Sequence, residues 1–255
     1  MAVVRWNFPN GSNGEVLTNA LTGTNHNSLD GGTYELSTAQ SYAALGSGKS
    51  AHFIKSATGA QYLGVSGLSA TSFAFDVYVY MVAKTSGTYI IWSGASSSLR
   101  AIALQYNPSG NLTMIHGTGV TPVWTSTTVI PLNTWVRYSV YLTCDPTVGT
   151  ARVQWYDLSV SDTTPVEDSG TVSSLNTQSV IDRVRFGGSA ASTSQIGQEL
   201  YFSSWAYDTA ATGLMPPYSA GTPANWRLRN AGAWTPVSAR ERESGAWSAR
   251  TTNIK

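Results

Sequence analysis

The sequence has little charge, one cysteine and no long apolar run. Charged residues make up only 11% of the 255 residues and the formal net charge is +1, whereas soluble domains usually carry roughly 25% charged residues. The single Cys144 excludes an intrachain disulfide. No apolar stretch is long enough to cross a bilayer, and the first residues do not read as a signal peptide. We therefore expect neither a membrane nor nucleic acid as a partner, and no passage through a secretion pathway.

Hydroxyl and aromatic side chains replace the missing charge. The chain contains 63 serine and threonine residues, 24 glycines, 10 prolines, 13 tyrosines and 9 tryptophans. β-Branched and aromatic side chains fit a pleated, half-buried surface, and glycine and proline favour turns. The composition therefore predicts an all-β protein.

Alternation of apolar and polar residues sets the strand pattern. From Phe73 to Met81 the odd positions are apolar and the even positions carry Asp76, Tyr78 and Tyr80, which is the period of a strand with one buried face. The same alternation recurs in eight or nine segments separated by turn sequences. We predict a two-sheet antiparallel jelly-roll sandwich and assign Phe75 and Trp135 to its core.

Two pairs of segments carry a family resemblance. Residues 132–140 (LNTWVRYSV) followed by 149–157 (GTARVQWYD) look like the central hairpin of concanavalin A-like (laminin G-like) jelly rolls. Residues 184–188 (VRFGG) followed by 200–208 (LYFSSWAYD) are similar to the closing strands of that family. The resemblance covers roughly residues 50–210 and implies the fold without implying an activity.

The chain is predicted to divide near residue 217. Residues 1–216 form the jelly-roll domain, including a loop-rich segment 1–50, and the proline- and glycine-containing residues 217–225 form a linker. Residues 226–255, which we call the arm, contain Arg-x-Arg-x-(Ala/Ser)-Gly-Ala-Trp twice with a 13-residue period and hold six basic residues against two acidic ones. Each repeat predicts a small hairpin, which needs another surface to bury its tryptophan.

Residues that usually carry catalysis or bind a metal are not grouped in the sequence. A retaining glycosidase needs two closely held carboxylates, and the acidic residues here are scattered. His26, His52 and His116 have no partner at metal-ligand spacing, and no calcium loop or phosphate-binding glycine loop occurs. We therefore expect no enzyme, no metal and no cofactor.

Surface recognition remains as the expected function. The polar face of the predicted sheet carries a candidate glycan-binding set: Asp76, Tyr78, Tyr80, Arg137, Tyr141, Arg152 and Tyr156. Gln154, Arg183 and Arg185 are predicted to lie on the same face. Aromatic planes beside planar donors suit stacking on sugars and hydrogen bonds to hydroxyls. The alternative is that these tyrosines are ordinary cross-strand pairs, or are covered by the N-terminal segment or a neighbouring subunit.

The arm suggests an assembly role. Its candidate partner-binding residues are Trp226, Arg227, Arg229, Trp234, Arg240, Arg242 and Trp247; the tryptophans dock on a partner or pack back on the jelly roll. Jelly rolls with such tails resemble the tail- and capsid-associated proteins of double-stranded DNA bacteriophages. That resemblance implies a virion structural protein, either decorating the capsid or associated with the tail, which contacts other virion proteins and forms a homo-oligomer. The alternative is a carbohydrate- or receptor-binding module that meets host surface polysaccharide.

Overall fold

The structure is a computed structural model. The residues that the structure describes are 4–7, 12–17, 28–30, 34–45, 48–55, 61–85, 89–96, 99–119, 121–188, 196–218, 227–230, 233–236, 240–243 and 246–249. The chain divides into two compact units, Met1–Pro217 and Tyr218–Lys255. The first unit is called the body below.

The described part of the body contains sixteen strands and one short 3₁₀ turn, Ala43–Leu45. The strands are β1 Val4–Asn7, β2 Ser28–Asp30, β3 Tyr34–Ser37, β4 Ser50–Ile54, β5 Gln61–Ala70, β6 Ser72–Ala83, β7 Tyr89–Ser96, β8 Leu99–Tyr106, β9 Asn111–Ile115, β10 Trp124–Val129, β11 Trp135–Thr143, β12 Gly149–Asp157, β13 Glu167–Asp168, β14 Val172–Leu175, β15 Ile181–Gly188 and β16 Glu199–Asp208.

These strands form two antiparallel sheets packed as a sandwich. The front sheet has nine strands in the order β13-β12-β11-β6-β16-β4-β3, with β1 paired to β16 and β14 paired to β12. The back sheet has seven strands in the order β10-β9-β8-β7-β15-β5-β2. The predicted all-β antiparallel sandwich is therefore confirmed.

The core lies between the two sheets, where the alternation of β6 places its odd-numbered side chains. Phe75 is fully buried and its ring centroid lies 4.8 Å from that of Phe186 on the back sheet. The hydroxyls of Tyr106 and Tyr138 lie 2.6 Å apart and join the back sheet to the front sheet by a buried hydrogen bond. This hydrogen bond and the aromatic packing fix the front sheet against the back sheet.

Three assignments made from the sequence are wrong. Trp135 is only half-buried and shares the outer face of the front sheet with Arg137, so it is not a core residue. Arg183 and Arg185 lie on β15 of the back sheet and cannot belong to a cluster on the front sheet. Strand phase alone does not say which sheet a strand joins, because that depends on pairing between distant segments.

The arm contains two hairpins of identical register. Strand β17 (Arg227–Asn230) pairs with β18 (Ala233–Pro236), and β19 (Arg240–Glu243) pairs with β20 (Ala246–Ala249). The repeated motif thus forms the two hairpins expected from it. The predicted linker beyond residue 218, and Trp226, lie outside the described residues.

No helix among the residues described here is long and apolar enough to cross a membrane.

Candidate functional site

The outer face of the front sheet, which points away from the core, carries the predicted glycan-binding residues other than Arg183 and Arg185. Register places them in four successive cross-strand lines: Tyr80 opposite Trp135, then Tyr78–Arg137–Tyr156, then Asp76–Ser139–Gln154, and then Tyr141 opposite Arg152. The alternation in β6, β11 and β12 therefore brings all seven residues to one face.

The centre of this face is buried. Arg137 and Asp76 are both completely inaccessible to solvent, with Arg137 Nη1 3.9 Å from Asp76 Oδ2, and the guanidinium carbon lies 3.8 Å from the ring centroid of Tyr156. Burial by itself lowers the pKa of Arg137, but the Asp76 carboxylate and the neighbouring Tyr78 and Tyr156 raise it above its usual value. The centre of the face is therefore a buried ion pair flanked by two buried tyrosines. It is not an open surface at these four residues: Asp76, Tyr78, Arg137 and Tyr156.

Segments outside the strands cover that centre. The ring of Tyr42, in the loop-rich N-terminal segment, stacks on Tyr78 at 5.7 Å and lies 6.1 Å from Trp135, and its backbone N–H donates to Ser203 Oγ at 3.3 Å. On the far side, Met215 packs with the buried alanines of the face and with Tyr141. The N-terminal cover is one of the alternatives weighed from the sequence.

A hydrogen-bonded chain orders the β12 edge of the face. Arg152 donates to both carboxylate oxygens of Asp168, Gln154 Nε2 donates to the same carboxylate at 2.7 Å, and the Tyr156 hydroxyl donates to Gln154 Oε1. The hydrogen bond from Arg152, which is opposed by partial burial, lowers the pKa of Asp168 to about 2. Arg152 is thus occupied by a partner within the chain.

Beside the covered centre lies a row that the sequence analysis did not assemble. Register places Glu35, His52, Tyr201, Tyr80 and Trp135 side by side across five strands, β3, β4, β16, β6 and β11. We call these five residues the cross-strand row. His52 stacks on Tyr201 at 4.2 Å, Tyr201 lies 6.2 Å from Tyr80, and Tyr80 lies 5.5 Å from Trp135.

The cross-strand row is accessible where the centre is not. Glu35 is exposed, His52, Tyr80 and Trp135 are half-buried, and Tyr201 retains 7% of its surface. His52 Nε2 lies 2.9 Å from Glu199 Oε1, and this contact orients the imidazole between Glu35 and Tyr201 in the row. The rings of His52, Tyr80 and Trp135 are therefore partly exposed to solvent and are held in place by their neighbours.

Other predicted features are placed as follows. Arg227 and Arg229 lie on β17, Trp234 on β18, Arg240 and Arg242 on β19, and Trp247 on β20. Arg229 pairs with Trp234 and Arg242 pairs with Trp247 in the two hairpins. Within the part of the chain that the structure describes, no group of three or more His, Cys, Asp or Glu side chains is placed to hold a metal ion.

Comparison with known proteins identifies the architecture. No protein-family model and no curated protein matches the sequence. Among solved structures, the cellulose-induced protein Cip1 superposes with a TM-score of 0.52 at 14% identity, over 72% of this chain and 89% of that chain. Trypanosoma rangeli sialidase gives 0.47 at 12% identity over 83% of this chain. A GH43 glycoside hydrolase engineered to display endo-xylanase and exo-arabinofuranosidase activity gives 0.44 at 9% identity over 63% of this chain.

The fold is a β-sandwich of this kind. The present chain spans only 31% of the sialidase chain and 34% of the GH43 chain. At such low identities the likeness shows the fold alone.

The comparisons also correct one expectation. The expectation of no enzyme is contradicted: the solved structures with this fold include a sialidase and a glycoside hydrolase. The expectation rested on the spacing of acidic residues along the sequence, whereas strand pairing brings side chains of distant segments together, as His52 and Glu199 do at 2.9 Å. Scattered positions in the sequence therefore do not exclude catalysis on this fold.

Proposed function

We propose that the protein binds carbohydrate on the outer face of the front sheet, with the cross-strand row as the contact surface. The observation that carries the proposal is the set of partly exposed rings of Tyr80 and Trp135 beside the His52–Glu199 pair. Aromatic rings pack against the apolar faces of sugars, and adjacent polar groups hydrogen-bond to sugar hydroxyls. The β-sandwich fold is compatible with this function.

The surroundings of the row favour binding without rearrangement. Trp135 contacts both Tyr80 and Tyr42, and Tyr80 contacts Tyr201, so each ring is held by its neighbours. Buried Arg137 is the cross-strand neighbour of Tyr78, on which Tyr42 stacks. Holding side chains in the binding orientation before the ligand arrives reduces the entropy lost on association.

Affinity electrophoresis through gels containing soluble polysaccharides tests the proposal. Trp135→Ala and Tyr80→Ala are expected to abolish retardation by whichever polysaccharide slows the wild-type protein. Trp124→Ala is the matched control, because Trp124 is also a half-buried tryptophan but lies on β10 of the back sheet. Retardation that survives Trp135→Ala and Tyr80→Ala, in proteins shown by thermal melts to be folded, would refute the proposed surface.

We propose a second, compatible function as a structural protein of a bacteriophage virion, on the capsid or the tail. The observation in its favour is the arm, in which two hairpins repeat the same register and the same Arg–Trp pairing. An isolated two-stranded hairpin is marginally stable in water, so such units gain stability by docking on another surface, either a virion protein or a second copy of this chain.

Immunogold electron microscopy of phage particles from a lysate of the source tests the second function. Gold on heads or on tail ends supports it and distinguishes capsid decoration from tail association. Particles that carry no label, while the antibody recognises the purified protein, would refute it and leave the carbohydrate-binding function standing.

A further inference from the structure

The charges around the cross-strand row restrict which glycan it can take. The two arginines of the outer face that the structure describes in ion pairs are engaged within the chain, Arg137 with Asp76 and Arg152 with Asp168. His52 Nε2 lies against Glu199. Lys84, which follows β6, places its Nζ 5.2 Å from the ring centroid of Tyr106 of the back sheet, and Lys55, which follows β4, is fully buried.

The two carboxylates at the row, those of Glu35 and Glu199, remain partly accessible to a ligand. Glu35 is exposed at the β3 end of the row, and Glu199 keeps about a quarter of its side chain accessible beside His52. An ionised carboxylate only accepts hydrogen bonds, so it binds a group that donates, such as a sugar hydroxyl. The carboxylate or sulfate of an acidic glycan has no proton to donate and is repelled by Glu35.

We infer that the ligand of the cross-strand row is an uncharged, hydroxyl-rich glycan rather than an acidic one. This inference rests on the proposed carbohydrate-binding function and adds the chemical class of the ligand. Rejection by unpaired like charge is a common way for a binding site to gain specificity. The row spans four inter-strand spacings, about 19 Å at roughly 4.8 Å per spacing, so it is long enough for an oligosaccharide that lies across the strands.

Matched pairs of polymers test the inference, each pair sharing a backbone and differing in charge. Suitable pairs are hydroxyethyl cellulose with carboxymethyl cellulose, and dextran with dextran sulfate. In affinity electrophoresis the wild-type protein is expected to bind the neutral member of at least one pair about tenfold or more tightly than the acidic member. This binding is expected to be nearly independent of ionic strength, because no ion pair forms with the ligand.

Variants at Glu35 test whether the charge of this side chain causes the discrimination between neutral and acidic polymers. Glu35→Lys is expected to gain retardation by the acidic polymer, with Glu35→Gln in between, because Glu35 is exposed and its replacement leaves the sheet intact. Preferential binding of the acidic member by the wild-type protein, lost in Trp135→Ala, would overturn the inference while keeping the proposed function. If the wild-type protein binds neither polymer of any pair, or if Trp135→Ala binds as tightly as the wild type, the proposed function itself is overturned.

Discussion

Replacing Arg137 by methionine tests the buried Arg137–Asp76 ion pair of the outer face. Both side chains of the pair are fully buried, with Arg137 Nη1 3.9 Å from Asp76 Oδ2. At that distance the attraction is about 4 kcal/mol in a medium of effective dielectric constant near 20. Removing one partner of a buried pair leaves the other charge uncompensated and typically costs about 3–5 kcal/mol. We therefore expect Arg137→Met to lower the free energy of unfolding by about 3–5 kcal/mol.

The double variant Asp76→Leu/Arg137→Met is the control for this prediction. Well-packed apolar replacements of a whole buried pair are often neutral or stabilising, so the double variant is expected to recover most of the loss. Urea denaturation followed by tryptophan fluorescence measures all the free energies. An Arg137→Met variant within about 1 kcal/mol of wild type would refute the argument that Arg137 neutralises a buried carboxylate.

The pH dependence of the same variant gives an independent check. Without Arg137, burial is expected to raise the pKa of Asp76 in the folded protein above its value in the unfolded chain. The folded state then binds a proton more tightly than the unfolded state, so the deficit of Arg137→Met shrinks as the pH falls through the raised pKa. A deficit that stays constant between pH 7 and pH 4 would contradict this reasoning.

Three further predictions concern the frame around the site. Gly149→Ala is expected to cost about 2–3 kcal/mol in urea denaturation, because the new Cβ would lie 1.9 Å from Thr177 Oγ1 and 2.9 Å from two backbone carbonyl oxygens; a near-neutral result would mean that this corner is not close-packed. Asp168→Asn, which removes the carboxylate held by Arg152 at a pKa of about 2, is expected to lose about 1 kcal/mol at pH 7 after allowance for solvent screening. Because the folded pKa lies below the usual value, that difference should vanish as the pH falls from about 4 to about 2, and a difference that persists at pH 2 would contradict the assignment. Burial raises the pKa of the Cys144 thiol to about 11, so iodoacetamide at pH 8 should label the native protein far more slowly than the urea-unfolded protein; equal rates would show that the thiol is exposed.

The alternation in the sequence is enough to predict the faces of individual strands. It places Asp76, Tyr78 and Arg137 on the outer side of the front sheet, where the structure has them. The same parity also assigns Trp135 to the outer face, since it lies two residues before Arg137. Its assignment to the core therefore disagreed with the phase of its own strand. Periodicity is the stronger signal, because a tryptophan is often only partly buried in proteins.

Strand phase could predict neither the covering of Tyr78 by Tyr42 nor the cross-strand row. His52 and Glu199 are 147 residues apart, and their contact depends on β4 pairing with β16, which no local pattern specifies. Tyr42 lies outside the strands and covers Tyr78 from a loop. Pairing between distant strands is decided by the packing of the whole sheet, so residues on non-consecutive strands come together without a sequence motif.

Heteronuclear NMR of the tryptophan indole N–H groups tests the central claim most directly. The protein is titrated with the glycan that retards it, and Trp135→Phe assigns the Trp135 resonance. We predict that the Trp135 signal shifts as the glycan binds, while the signals of Trp155 and Trp205, which are at most 2% exposed, stay in place. Shifts confined to Trp234 and Trp247 of the arm, or an unchanged Trp135 signal at saturating glycan, would contradict binding at the cross-strand row.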